Sequence, residues 1–270
     1  MTTWFSAAAV LPQLRAAWSL SSGESAWLTI AVQLGFVTGA LVSAITNLSD
    51  RYSARHVFFA STLGAAAANG LVAASEGIAL AIPLRFLTGF CVAGIYPPAL
   101  KVMATHFRVG RGVALGVMIG ALTVGSAMPH LVNGLGGLDW RLVVLASSVM
   151  TVLGGLVALV FVRDGPYPFP RGSFAPRFIV RSFRDPAVRL ANLGYFGHMW
   201  ELYAMWTWAP VMIRASLERT GAPRGLAEAW SFLVIGSGAA GCVAAGLLAD
   251  RWGRTRVASA AMAVSGACCV

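Results

Sequence analysis

Glu201 lies near the middle of a long apolar stretch, Asn192 to Met212, and His198 stands three residues before it. In a helix that spacing puts both side chains on one face. A carboxylic acid in an apolar cavity can load and release a proton near neutral pH, and an imidazole titrates there without help. The pair reads as a proton relay; the plainer alternative is a neutral, hydrogen-bonded acid beside a helix-interface histidine. Two residues alone do not make a metal site. Trp200, Tyr203, Trp206 and Trp208 crowd the same stretch. Trp200 and Trp206 are too central for a membrane-interface belt, whereas Trp27, Trp140 and Trp230 stand where such belts form. Central aromatics either stack on a solute's ring or cover a cation, or they pack between helices.

Arg85 is the other charge set inside an apolar stretch. A charge within a bilayer costs at least about 2.5 kcal/mol, so Arg85 must face protein or a water-filled cavity and have a partner, or snorkel to the outer interface. As a cavity cation it favours an anionic solute such as an organic acid.

These side chains need membrane-spanning elements to hold them. The chain is 57% hydrophobic and 11% charged, against roughly 25% charged in a soluble globular protein. Runs long enough to cross a hydrocarbon core, which takes about 20 residues of helix, fall at 27 to 46, 57 to 75, 79 to 100, 112 to 133, 141 to 162, 189 to 212 and 227 to 248. Trp4 to Leu14 is too short for a span, and Val257 to Val270 breaks off within an apolar run. The expectation is seven complete helices and two partial ones, with both ends truncated.

The formal charge of +10 does not read as nucleic-acid binding, because the basic residues fall in the gaps between apolar stretches. One set of loops carries Arg51, Arg55, Lys101, Arg108, Arg111, Arg163, Arg171, Arg177, Arg181, Arg184, Arg189, Arg251, Arg254 and Arg256. The other has Arg15, Arg141, Arg214, Arg219 and Arg224. Positive charge collects on the cytoplasmic side, which makes the first set cytoplasmic. Residues 164–187 are rich in Pro and Arg and suit a tether on an anionic leaflet. That linker divides a first bundle, residues 1–163, from the start of a second, residues 188–270.

The first and last cytoplasmic loops repeat a pattern: Asp50-Arg51 followed by Arg55-His56, and Asp250-Arg251 followed by Arg254 and Arg256. An internal repeat of this kind marks transporters built from two halves. The run from Gly246 through Asp250, Arg251, Gly253 and Arg254 resembles the loop signature of the major facilitator superfamily. The first copy is degenerate, with Thr46 and Ser53 in place of the signature's glycines. The resemblance covers essentially the whole chain. It implies an all-α integral membrane bundle, with a six-helix first half whose first helix is shortened and the beginning of a second half. It also implies a gating role for Asp50, Arg51, Arg55, Gly246, Asp250, Arg251, Gly253 and Arg254. Arg85 followed by Gly89 is similar to the family's Arg-three-residues-Gly pattern, which gives Arg85 proton transfer or solute binding. Proton coupling and the solute cavity are then expected at Arg85, His198, Glu201, Trp200, Tyr203 and Trp206.

Gly112, Gly116 and Gly120, with Gly125 beyond, recur at spacings that allow close helix approach. Pro129 follows Met128, not the glycine that the family's drug antiporters carry at this point. Pro97-Pro98 frees backbone carbonyls and offers a hinge. The four cysteines lack zinc or disulfide spacing, and no glycine-rich phosphate loop leads to Lys-Ser or Lys-Thr. The expectation is a secondary active transporter without cofactor or metal, not an enzyme. It moves a small organic solute, with protons, by symport or antiport. A non-transporting membrane receptor, an assembly protein or an inactive transporter fragment is the alternative. Lys101 is the single lysine among 20 basic residues, which points to a GC-rich bacterial genome and a plasma-membrane location.

Overall fold

The computed structural model describes residues 1–134, 138–163, 165–167, 183–221 and 223–268, without the side chains of Ser49, Asp50 and Arg224. Among these residues the chain is all-α: α1 Thr2–Ala9, α2 Leu11–Trp18, α3 Ser22–Thr46, α4 Leu48–Arg51, α5 Ala54–Val72 and α6 Ile78–Val92 come first. They are followed by α7 Tyr96–His106, α8 Arg111–Gly134, α9 Trp140–Phe161, α10 Pro186–Arg219, α11 Arg224–Trp252 and α12 Arg254–Cys268.

Local chemistry sets the helix ends. Ser21 Oγ accepts from the Glu24 N–H at 3.2 Å while Glu24 Oε2 accepts from the Ser21 N–H at 2.9 Å, a reciprocal cap for α3. Asp139 caps α9 through the Arg141 N–H at 2.7 Å. Asp185 accepts from the Ala187 and Val188 N–H groups at 2.9 and 3.4 Å, with Pro186 in the first turn of α10, where a missing N–H costs nothing. The span expected at 79 to 100 breaks at Ala93–Ile95, where Gly94 and Ile95 bond back to Cys91 and Val92 in a tightened turn. Pro97 and Pro98 open α7 beyond that break, so they restart the helix instead of bending a continuous one.

Five segments are long and apolar enough to cross a membrane: Ser22–Thr46, Ile78–His106, Arg111–Gly134, Trp140–Phe161 and Gly225–Trp252. Helices α5, of 19 residues, and α10, of 34, fill the other two expected spans. Leu41, Val160 and Phe161 are among many large apolar side chains left exposed, a surface that suits lipid. Trp140 departs from the belt position expected of it. It is 4% exposed and meets Trp18 edge-on at 5.3 Å, within a cluster that includes Leu14, Leu28, Val72 and Val143. Most of the proline- and arginine-rich linker, including Arg171, Arg177 and Arg181, lies outside the described residues.

Two helix pairs approach so closely that side chains are excluded between them. In the α3–α6 pair a Cβ on Gly35 would lie 1.9 Å from the Phe86 carbonyl oxygen, and one on Gly89 1.9 Å from that of Val32. Backbone cannot yield as a flexible side chain can, so Gly89→Ala should force the helices apart at the roughly 1–3 kcal/mol typical of overpacking. Its thermal midpoint in detergent, followed by tryptophan fluorescence, is expected to fall. Gly154→Ala faces open space and should leave the midpoint unchanged or slightly raised.

Candidate functional site

Arg85 is 1% exposed and is tied to three helices other than its own. Nε donates to the Leu28 carbonyl of α3 at 3.3 Å, and Nη1 donates to the Thr3 carbonyl of α1 at 2.7 Å and to Asn69 Oδ1 of α5 at 3.1 Å. Nη2 donates to the Trp4 carbonyl. Asn69 extends the network to α9, its Nδ2 donating to the Val144 carbonyl at 3.1 Å and to Ser148 Oγ at 3.0 Å. Ser6 Oγ donates to Asn69 Oδ1 at 2.8 Å. The guanidinium is thus satisfied by carbonyl dipoles; among the described residues no carboxylate pairs with it. It does not snorkel.

Beside this network runs an aromatic wall between α1 and α10. Phe5 meets Trp206 edge-on at 5.1 Å, Trp4 meets Phe36 edge-on at 5.2 Å, and Tyr203 lies 5.8 Å from Trp206 and 6.1 Å from Trp4. Trp4 Nε1 is buried without a partner among the described residues. Trp200, grouped with these aromatics in the sequence reading, is 83% exposed and stands apart from the wall. Glu201 and His198 share a face, as their spacing demands, with Oε2 and Nδ1 3.8 Å apart. Their side chains are 32% and 47% exposed, so the pair occupies a half-open flank of α10.

The second close helix pair is α8 with α11. A Cβ on Gly116 would lie 2.5 Å from the Cys242 carbonyl oxygen, and one on Gly120 3.0 Å from that of Ala239. Gly125 falls off this seam and faces Met1. At one end Asp250 reaches across from α11: Oδ1 accepts from the Gly112 N–H at 2.9 Å and Oδ2 from the Val113 N–H at 3.1 Å. Those N–H groups belong to the first turn of α8, which has no partners of its own and carries the positive end of the helix dipole. Gly246 and Gly112 allow the approach, since a Cβ on either would meet backbone of the other helix within 2.6 Å. Gly253, at φ +91°, then turns the chain into α12. Arg251 and Arg254 are exposed, as is Arg51, and Arg55 is half-buried. The Asp50 side chain lies outside the described residues.

At the opposite end of the seam stands a cluster that sequence reasoning missed. His130 Nδ1 of α8 lies 3.0 Å from Glu228 Oε2 of α11, and Arg214 Nη2 of α10 donates to Glu228 Oε1. Glu228 is 6% exposed. Its signal was present: it is the one carboxylate between Glu218 and Asp250, inside an apolar run. The cost argument that singled out Arg85 applies to it equally.

The sequence model of the Major Facilitator Superfamily matches residues 1–270. The chain belongs to the major facilitator superfamily. Among its curated relatives, the uncharacterized transporter YgaY of Escherichia coli O157:H7 is 29% identical over 209 residues, covering 71% of this chain and 51% of its own. The tetracenomycin C resistance and export protein of Streptomyces glaucescens is 24% identical over 193 residues, 70% of this chain and 34% of its own. The putative tartrate transporter of Agrobacterium vitis is 26% identical over 177 residues, 54% of this chain and 39% of its own. The chain spans about half the length, or less, of these relatives. Superfamily membership sets it among membrane transport proteins, not enzymes.

In this superfamily member Arg85 and Asn69 act as one unit, because each leaves buried acceptors or donors unpaired if the other is lost. Arg85→Met and Asn69→Leu should each lower the thermal midpoint in detergent. The double variant should lose clearly less than the two single losses combined; additive losses would show the two side chains to be independent.

Proposed function

We propose that the chain forms part of a proton-coupled secondary active transporter that moves a small organic solute across the cell membrane by alternating access. The observation that carries this reading is the Asp250 cap, two hydrogen bonds that join the loop after α11 to the start of α8. On the superfamily's plan of paired six-helix bundles, residues 1–163 are one bundle, 164–187 the linker and 188–270 the start of the other. The cap then joins the two bundles. A contact that exists with the cytoplasmic end closed and is lost when that end opens biases the equilibrium between facings, which is what a gate does. Gly246, Gly253, Arg251 and Arg254 shape and flank it, and Asp50, Arg51 and Arg55 are the corresponding gate residues of the repeat.

The solute path runs beside the aromatic wall. Trp4, Tyr203 and Trp206 offer ring faces, and the unpartnered Trp4 N–H offers a donor. One relative is named for tartrate and another for tetracenomycin C, so the class of solute is organic with a broad range of size. An organic anion is favoured by Arg85. Its donors are held by the Thr3 and Trp4 carbonyls here, so an anion must displace α1 backbone to reach it. Glu201, partly open to solvent with His198 beside it, takes and releases the coupled proton.

Proton flux into proteoliposomes of the purified chain, read with a pH-sensitive dye, tests the proposal against organic acids, sugars and amphipathic drugs. Solute-dependent flux is expected; silence across the panel, with a responding full-length relative as control, would overturn it. Glu201→Gln should abolish proton-driven uptake while sparing counterflow exchange, and unchanged driven uptake removes Glu201 from the mechanism. Asp250→Asn weakens the cap by about 1 kcal/mol. It should shift the balance between facings by about fivefold, seen as altered labelling of a cytoplasmic-end cysteine.

A further inference from the structure

We propose that His130, Glu228 and Arg214 form the gate at the other end of the seam, closed by their contact and released by a proton from the outer side. The proposal rests on the transporter reading above. Gly112 and His130 are separated along α8 by on the order of 27 Å at 1.5 Å per residue, nearly the thickness of a hydrocarbon core. The cluster and the Asp250 cap therefore close opposite ends of one helix pair. Between them Gly116 and Gly120 rest against the Cys242 and Ala239 backbone. Such contacts allow sliding and tilting, and the polar locks sit at the ends.

The geometry also fixes how the lock responds to acid. In the closed cluster the Glu228 carboxylate and the Arg214 guanidinium balance, with His130 Nδ1 at the second carboxylate oxygen. A proton on the Glu228 carboxylate removes the counter-charge of Arg214 and leaves a net positive charge. While Glu228 and His130 are buried that charge is uncompensated; once the helices part, water solvates it. The proton therefore binds the open form more tightly, and by linkage acid favours opening. Arg214, with 27% of its side chain exposed, marks the side from which water enters.

Among the described residues, no other ionisable side chain is bonded to this cluster. On α10, Glu218 is exposed one turn beyond Arg214. On the elements packed around the end of α8, α1 has no ionisable side chain, Arg15 of α2 is exposed and reaches Ser22, and Arg141 of α9 lies with Asp139 and the Ala73 carbonyl. Helix α12 contributes no carboxylate, histidine or lysine.

Spin labels on Leu131→Cys and Leu226→Cys, in a variant with the native cysteines replaced, report the gap between α8 and α11 in lipid nanodiscs. Between pH 8 and pH 5.5 the open-to-closed ratio is expected to rise, by at most about tenfold per pH unit for one linked proton. Glu228→Gln should hold the gap open at both pH values, because Arg214 then has no counter-charge. Glu228→Gln with Arg214→Gln should close it again at pH 8, which separates gating from misfolding. Identical distances at the two pH values in the parent protein, or wild-type behaviour of Glu228→Gln, would overturn the gate. The reading requires no solute, so pH-dependent distances alongside silent flux would remove the transporter reading and leave the gate standing, and normal flux with unresponsive distances would do the reverse.

Discussion

A guanidinium buried away from water must have its donors met, and in this chain three backbone carbonyls and the Asn69 side-chain amide meet them. That one requirement organises α1, α3, α5, α6 and α9. The Thr3 and Trp4 carbonyls can reach Arg85 only if α1 lies against α6. The Leu28 carbonyl can reach it only if α3 presses in, which Gly35 and Gly89 permit. Asn69 carries the same demand through α5 to Val144 and Ser148 on α9. Holding α1 there also places Trp4 and Phe5 against Tyr203 and Trp206 of α10. The aromatic wall is thus a downstream consequence of where a charge had to be hidden.

The helices were legible in the sequence because apolar length is a local property. The run at 112 to 133 falls within Arg111–Gly134, and the run at 227 to 248 within Arg224–Trp252. The ends were harder for a physical reason. Helix α3 begins at Ser22, ahead of the expected 27, because the Ser21 and Glu24 cap is polar and adds nothing to hydropathy. Helix α10 continues to Arg219, past the apolar stretch, because a helix with Arg214 and Glu218 on its surface is stable where the bilayer ends.

Side-chain partners were far less legible. That Arg85 would be buried followed from the cost of its charge. That carbonyls would answer it did not, since a carbonyl has no residue type to read. His130, Arg214 and Glu228 meet only once α8, α10 and α11 are packed, so no single segment of sequence shows their pairing. Trp140 went astray similarly, since its place at the head of α9 suits a belt, and only the approach of Trp18 buries it.

The two contacts at the ends of the α8–α11 seam differ in kind. Asp250 is exposed, so its attraction to the α8 dipole is screened by water and salt and amounts to about 1 kcal/mol. Glu228 is nearly enclosed, and losing one partner there leaves a buried charge, a penalty of several kcal/mol. A weak, solvated lock opens and closes with little bias and suits a contact that must cycle at every turnover. A strong, desolvated lock stays shut until its charge balance changes, which makes the end with Glu228 sensitive to chemistry and the end with Asp250 sensitive to mechanics. On the proposed cycle the bundles exchange facings only when the charged end is first released, so burial, and not the strength of either hydrogen bond, sets the order of events.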